Sequence, residues 1–511
     1  MGNDAWKAMN EQAFEAALED SVADLPPAEI VAAVTPWKQA MHRILTGLAL
    51  CTVTLNFLCL QYILPAIGVL LSLLGFRALR RENGWFRTCY LLSVIHVLWF
   101  FSSLVLNTTI YRSAILTPGV TEVLTVVSCL LQFANFLCLW RGLCTLREKA
   151  GLPPRAAGAV ALMVWYGLVC VLALIGYIGL LIAAAMLVGY IFILRSLHRL
   201  SKEADEAGYS IRTAAVRVPD RWVALALALA LLVGCVLGYL FGGSYPMAWQ
   251  AVDPAEQAEV ADIKAQLLDL GFPDYVLDDL SPEDIAACAG ALRVVVDVTD
   301  ECMNGGRVVT QESWRDGVRH ISQYRVYDVR ELRITGVGVL LPGDRETWMI
   351  FHHFLWTVDP GFYGTESIQL LPTSQHSEGW GPAGDVTGRV LYDRDGETFA
   401  APYHSLGAQT YTADTIFWGR QTNTDVFAAF SMPAKGERHR GYVAYPTAVA
   451  REGYLIDSWI YYTHQTSWLQ YPAVTATEAR MYSGWESPKA FRTVRDALQF
   501  HSTKEGAELL G

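Results

Sequence analysis

Between Ile44 and Phe241 the chain carries a succession of apolar runs too long and too poor in charge for a water-soluble core. Crossing a bilayer's hydrocarbon takes about 17–25 residues of helix, because lipid-exposed backbone must satisfy its own polar groups. Runs of that length lie at 88–109, 120–143, 157–175, 177–197 and 221–241. The run from Ile44 to Phe76 is too long for one straight span, and Pro65 interrupts it. It reads as a hairpin with short arms, 43–60 and 62–79. Gly176 and Gly179 split the run 157–197 likewise. The expectation is a seven-helix membrane domain over 43–241.

Positive charge tests the count, since Lys and Arg stay on the cytoplasmic side. Arg77, Arg80, Arg81 and Arg87 fill one loop, and Arg141, Arg147, Lys149 and Arg155 a second. Arg195, Arg199, Lys202, Arg212, Arg217 and Arg221 fill a third. The alternate loops hold Arg112 alone at 110–119 and no charge near 176–178. Seven spans then place the N-terminus in the cytoplasm and residues 242–511 outside the cell membrane. A single span at 44–76 would move only the N-terminus. Residues 1–42 begin with acids (Asp4, Glu11, Glu15, Glu19), unlike a cleavable signal peptide. They read as a cytoplasmic amphipathic helix capped by Asn3 or Asp4 and a linker, with Pro26 and Pro27 ending the helix.

The stretch "LNFLCLQYILPAIGVLLSLLGFRALR" (55–80) resembles the short hairpin of uncharacterised multi-pass membrane proteins of Gram-positive bacteria. Those carry an ILP-x-x-IG turn followed by a Gly and basic residues. Ala66 stands where that pattern has an acid. The resemblance implies a bacterial multi-pass membrane protein and carries no activity. Inside the spans, the polar candidates are His96 and Asn135, beside Gln132 and Asn56. They mark either a transport path or interhelical hydrogen bonds, and the scarcity of buried charge favours the bonds.

The second half is different in kind. Residues 1–241 carry net charge +4 and residues 242–511 net −15, together −11. An acidic surface excludes nucleic acid as a partner. Asp253-Pro254 and Ser281-Pro282 open capped helices, giving a helical collar over 253–300. Its cysteines Cys288 and Cys302 are candidates for a disulfide in an oxidising space, or for two core thiols. From about 320 strands dominate. "LRITGVGVLLPGDRETWMIFHHFLW" and "GRVLYDRDGETFAA" read as hairpins, as does "DVFAAFSMPAKGERHRGYVAY", with a further strand at "GYLIDSWIYYTH". A helix is expected at 487–500, striped by Phe491, Val494 and Leu498. The fold class is an α-helical membrane domain of about seven transmembrane helices plus a mainly-β extracytoplasmic domain, sandwich or jelly-roll-like, over 320–511.

The most pointed stretch is "FHHFLW", 351–356. Neighbouring strand residues point to opposite faces, so His352 and His353 cannot chelate one ion. Both faces are apolar, which reads as a central strand covered on both sides, its histidines hydrogen-bonded in the core. A metal site would instead draw one of the pair together with His404, His464, Glu366 or Asp457 from other strands, and no cofactor is otherwise implied. His352 or His353 with His404, His464 or Glu366 would serve a metal- or carboxylate-dependent envelope hydrolase, provided they converge in one open cleft. No Gly-x-Ser-x-Gly elbow occurs. The region 242–511 also holds 9 Trp and 15 Tyr. Trp356, Trp418 and above all Trp380, in "SEGWGPAG", are candidates for an exposed platform, with Glu366 beside them. The function read from these features is a membrane-anchored binding or sensing module for an envelope glycan or protein partner. A hydrolase and a transporter with an outer cap are the alternatives.

Overall fold

The computed structural model describes residues 36–52, 59–176, 179–207, 211, 218–303, 307–315, 318–326, 329–371, 379–415, 419–451, 454–468, 470–482, 489–502 and 507–509. The amphipathic helix expected before Pro26 lies outside them. The chain divides into two units, the first running to Cys235 except for Asn107–Tyr111, which belongs with the second.

The first unit is helical. Its long helices are α1 (Pro36–Thr52), α2 (Leu60–Leu79), α3 (Gly84–Leu106), α4 (Pro118–Lys149), α5 (Ala157–Ile175), α6 (Leu180–Glu206) and α7 (Asp220–Phe241), with the single turn Arg112–Ile115 before α4, and the last residues of α7 belong with the second unit. Helices α2 to α7 are long and apolar enough to cross a membrane, the make-up of a multi-pass membrane protein. Only 6% of the apolar window of α7 is buried within the protein, so its side chains face outward, as lipid contact requires. Helix α1 has 17 residues and includes Lys38 and Arg43.

Helix α1 packs against α2, and the run does not break at Pro65. That residue sits inside α2. Proline lacks a donor and clashes one turn back, and Pro65 stands past the four N–H groups left unpaired at a helix start, so α2 carries that cost within it. Glycines bring α1 and α2 together. A Cβ on Gly47 would lie 2.6 Å from the Gly68 carbonyl oxygen, and one on Gly68 2.7 Å from the Gly47 carbonyl oxygen. This reciprocal approach is how small residues let helices pack where no hydrophobic drive exists between them.

Ion pairs tie the polar ends of these helices. Asp220, opening α7, accepts from Arg43 at 2.5 Å and Arg77 at 2.6 Å. Arg147 pairs with Glu203 at 2.8 Å, and Lys149 with Glu82 at 3.0 Å. Arg77, Arg147 and Lys149, among the basic residues near the loops, thus meet acids from distant parts of the chain.

The second unit is mainly β. In order it has β1 (Gln250–Ala251), the short helices α8 (Pro254–Ala258), α9 (Ala261–Asp269), α10 (Asp274–Leu277) and α11 (Pro282–Ala286), then β2 (Arg293–Glu301), β3 (Arg307–Arg315), β4 (Val318–Val326), β5 (Leu332–Leu341), β6 (Thr347–Trp356), β7 (Glu366–Leu371), β8 (Trp380–Pro382), β9 (Thr387–Arg394), β10 (Glu397–Pro402), β11 (Ser405–Thr415), β12 (Gly419–Phe430), β13 (Glu437–Val449), β14 (Ile456–Gln465), α12 (Ala476–Tyr482), β15 (Phe491–Ser502) and β16 (Ala507–Leu509). The first sheet runs β1-β10-β9-β13-β6-β5-β2, with β8 on β13. The second runs β11-β12-β7-β14-β15-β16, and β3 pairs with β4 alone. All pairings are antiparallel.

The cap chemistry expected of the collar is present. Asp253 Oδ1 accepts from the Ala255 N–H, and Ser281 Oγ from the Asp284 N–H. The helical stretch is shorter than expected, because "RVVVDVTDE" is β-branched and pairs with β5 as strand β2. The hairpins β5–β6 and β9–β10 form as read, the latter turning at Asp395 and Gly396, both with positive φ. Strands β12 and β13 do not form a hairpin, since they join different sheets. The expected helix at 487–500 is also corrected: Phe491–Ser502 is a strand along β14. Its Phe491, Val494 and Leu498 satisfy a helical stripe, but Val494, Leu498 and Phe500 share one strand face and meet the core.

Both sheets contribute to one core. Trp348 of β6 meets Phe500 of β15 with ring centroids 4.7 Å apart, and Phe354 meets Tyr462 of β14 at 4.9 Å. The other face of β5 and β6 carries Val337, Val339, Met349 and Phe351 and packs with Leu267, Phe272, Leu277 and Ile285 of the helical stretch.

Gly47→Val and Gly68→Val are each expected to destabilise the helical unit by about 2 kcal/mol, the usual cost of overpacking a tight contact. Leu232→Ala, on the outward face of α7, is expected to cost well under half of that. Thermal unfolding of the detergent-solubilised protein checks the ranking.

Candidate functional site

Strand β6 is covered on both sides, as its two apolar faces require. His352 points into the core between the sheets, where Nε2 lies 2.6 Å from Ser458 Oγ. Ser458 Oγ also meets the Tyr445 hydroxyl. Burial pushes His352 down to about pKa 3, so the ring is neutral, and it raises the Tyr445 hydroxyl. A serine and an imidazole at this distance have the spacing of a nucleophile and its base. Here Ser458 is fully buried and His352 1% exposed, with apolar side chains around them.

His353 points the other way. Its Nε2 lies 2.8 Å from Asp279 Oδ2, while Arg440 Nε donates to Asp279 Oδ1 at 2.7 Å. Arg440 also reaches Asp393 at 2.9 Å, and Arg389 donates to the Asp279 and Leu280 carbonyls. Burial works to raise the Asp279 carboxyl, and the His353 hydrogen bond and the His353 and Arg440 charges outweigh it, leaving its pKa below the ordinary value. This network fastens the helical stretch to the first sheet. Sequence reading did not find Asp279 or Arg440. They are 161 residues apart, and the one clue is an aspartate followed by leucine inside the apolar collar.

Glu366 and His464 do come together, as cross-strand partners of β7 and β14, with Glu366 Oε1 2.6 Å from His464 Nδ1. Both are buried, at 0% and 4% exposure. Burial raises the Glu366 carboxyl, against the charge and hydrogen bond of His464. Glu366 Oε2 has no hydrogen-bond partner among the described residues. His404, by contrast, is exposed and stacks on Tyr245 with centroids 4.5 Å apart.

The histidines therefore go to separate places, and the expected convergence of His352 or His353 with His404, His464 and Glu366 is not formed. Alternation along β6 sends its two imidazoles to opposite faces. No group of three His, Cys, Asp or Glu suited to a metal ion occurs among the described residues. The expected platform is corrected too. Trp380 and Trp356 are each 3% exposed. Trp380 Nε1 donates to the Tyr454 carbonyl, and Trp356 Nε1 to the Tyr462 hydroxyl. Gly379, beside Trp380, admits a close approach by Tyr454 instead of exposing the indole. Trp418 lies outside the described residues. Cys288 and Cys302 are not joined by a disulfide; Cys288 is buried with the collar helices, and burial pushes its thiol up to about 12.

Two constellations hold polar atoms without hydrogen-bond partners among the described residues. On the second sheet, residues of odd number in β14 face away from the shared core, and α12 lies along that side. Trp459 and Tyr461 are half-buried there. Arg480 lies over the Tyr461 ring at 4.2 Å and Arg495 over Trp459 at 5.8 Å. Beside them Gln369 Nε2 and the Tyr411 hydroxyl donate to Asp425 Oδ2 at 2.6 and 2.8 Å. Burial and the Asp425 charge push the Tyr411 hydroxyl up to about 12. Gln369 Oε1 and Arg480 Nε are buried without hydrogen-bond partners among the described residues. The period-2 pattern of β14 was visible in the sequence, but α12 and Arg480 come from beyond it. In the helical unit, His96 and Asn135 face one cavity of about 960 Å³.

The chain matches no family profile and no curated protein.

Removing one partner of a buried ion pair strands the other. Asp279→Ala is expected to cost about 3 kcal/mol or more in the β unit. Glu366 acts oppositely with pH. A carboxyl raised on folding is held protonated, so stability is lost as pH rises from the ordinary value near 4.5 through the folded value. Glu366→Gln is expected to flatten the fall in melting temperature as pH rises above about 4.5. A melting series in buffers across that range reads the difference.

Proposed function

We propose that this is an integral membrane protein of seven spans, α1 being the seventh, with its N-terminus in the cytoplasm and its β unit on the extracytoplasmic side. In this reading the two sheets stack as a sandwich, jelly-roll-like. The sandwich serves as a binding or sensing module for a ligand or partner protein of the cell envelope, and the helices anchor it. The clustering of basic residues with Asp220, Glu203 and Glu82 at helix ends supports the orientation, since such loops stay in the cytoplasm.

One observation carries the binding reading: the half-buried Trp459 and Tyr461 rings, flanked by guanidinium groups and by the Gln369–Asp425–Tyr411 cluster. Flat rings with hydrogen-bonding groups around their rim suit a polar, ring-bearing ligand such as an envelope glycan. The hydrolase reading finds less support, because the Ser458–His352 and Glu366–His464 pairs are sealed in the core.

Full-length protein in detergent, titrated with soluble cell-wall glycan fragments, tests the reading. Trp459→Ala and Arg480→Gln are expected to weaken binding about fivefold to tenfold each, with melting temperature little changed. Binding left intact by both substitutions, or no binding at millimolar glycan, would remove the platform from consideration.

A further inference from the structure

The cavity of about 960 Å³ in the helical unit is near the upper end of the range that encloses a small-molecule ligand. Its wall is mostly apolar, with Val69, Phe100, Leu139, Val169 and Met186 among its residues. Among the described residues, no Asp, Glu, Lys or Arg lines it. Polar groups gather on the part formed by α3 and α4: Ser93, His96, Gln132 and Asn135. Two other polar side chains in the wall are already engaged, Trp165 Nε1 with the Met186 carbonyl at 2.9 Å and the Tyr190 hydroxyl with the Leu48 carbonyl at 2.8 Å.

Ser93 and Asn135 are different. Ser93 is 4% exposed, and Ser93 Oγ and Asn135 Oδ1 have no hydrogen-bond partner among the described residues. A polar atom left unpaired in an apolar setting is costly, the more so between helices that face lipid. Interhelical bonding explains polar residues that meet each other, and it does not explain these two. Water would satisfy the atoms but leave the apolar wall wet. A molecule with an apolar body and one polar end satisfies both.

We infer that this cavity is a binding site for an uncharged amphiphile drawn from the bilayer, a hydrocarbon chain ending in a hydroxyl or amide whose hydrogen is donated to Asn135 Oδ1. The lack of ionised residues in the wall selects against a charged headgroup, because nothing there offsets the loss of its hydration. Ser93 Oγ completes the polar end as donor or acceptor.

The test uses purified full-length protein in detergent with hexadecanol carrying a mid-chain diazirine, irradiated, and the modified peptides mapped by mass spectrometry. Adducts are expected on cavity residues such as Val169 and Met186, about tenfold above those from diazirine-bearing hexadecane or hexadecanoate. Asn135→Leu and Ser93→Ala are each expected to lower cavity labelling about fivefold. Val169→Trp fills the space without touching the polar end and is expected to abolish labelling. It and the mild Ser93→Ala keep the test sound should Asn135→Leu fold poorly. Equal labelling by the hydrocarbon, stronger labelling by the carboxylate, or labelling unchanged in both Ser93→Ala and Val169→Trp would overturn the inference.

Discussion

The β unit depends on one strand having no solvent side. Strand β6 pairs with β5 and β13 along its edges and is packed on both faces. Every side chain on it must then be apolar or find a partner inside the protein. Most are apolar, and the two histidines meet the demand differently. His352 takes Ser458 from the second sheet, and His353 takes Asp279 from the helical stretch. Each imidazole thus reaches the layer it faces, so one dipeptide links three layers of structure.

The helical unit answers a different constraint. Between helices surrounded by lipid there is no hydrophobic drive, so close fit and paired polar groups hold the bundle. Gly47 and Gly68 supply the fit between α1 and α2. Arg43, Arg77 and Asp220 supply the pairing where helices end. Against that background, the unpaired Ser93 and Asn135 atoms stand out as polar groups the bundle itself does not use.

The aromatic richness of the β unit is mostly a packing property. Trp348, Tyr442, Tyr462, Phe351 and Phe354 fill cores, and Trp356 and Trp380 spend their N–H groups inside. At the surface remain Trp314, Tyr324, Tyr454 and Trp468, with the half-buried Trp459 and Tyr461 set under two arginines. Exposure of an aromatic cannot be judged from neighbouring glycines, because glycine admits another chain segment as readily as solvent. Trp380 under Tyr454 is that case.

The sequence by itself determined the apolar spans, the caps at Asp253 and Ser281, the β5–β6 and β9–β10 hairpins and the burial of both faces of β6. These rest on runs, periods and turn residues a few positions apart, which local sterics and hydrogen bonding dictate. Tertiary structure alone decided that β12 and β13 part to different sheets, that Phe491–Ser502 is a strand, and which groups meet across the fold. Arg440 and Asp279, or Glu366 and His464, are joined by contacts between residues 98 to 161 positions apart. A stripe such as Phe491, Val494 and Leu498 fits a helix or a strand equally until a neighbouring strand supplies the missing hydrogen bonds. The pairing with β14 made that choice.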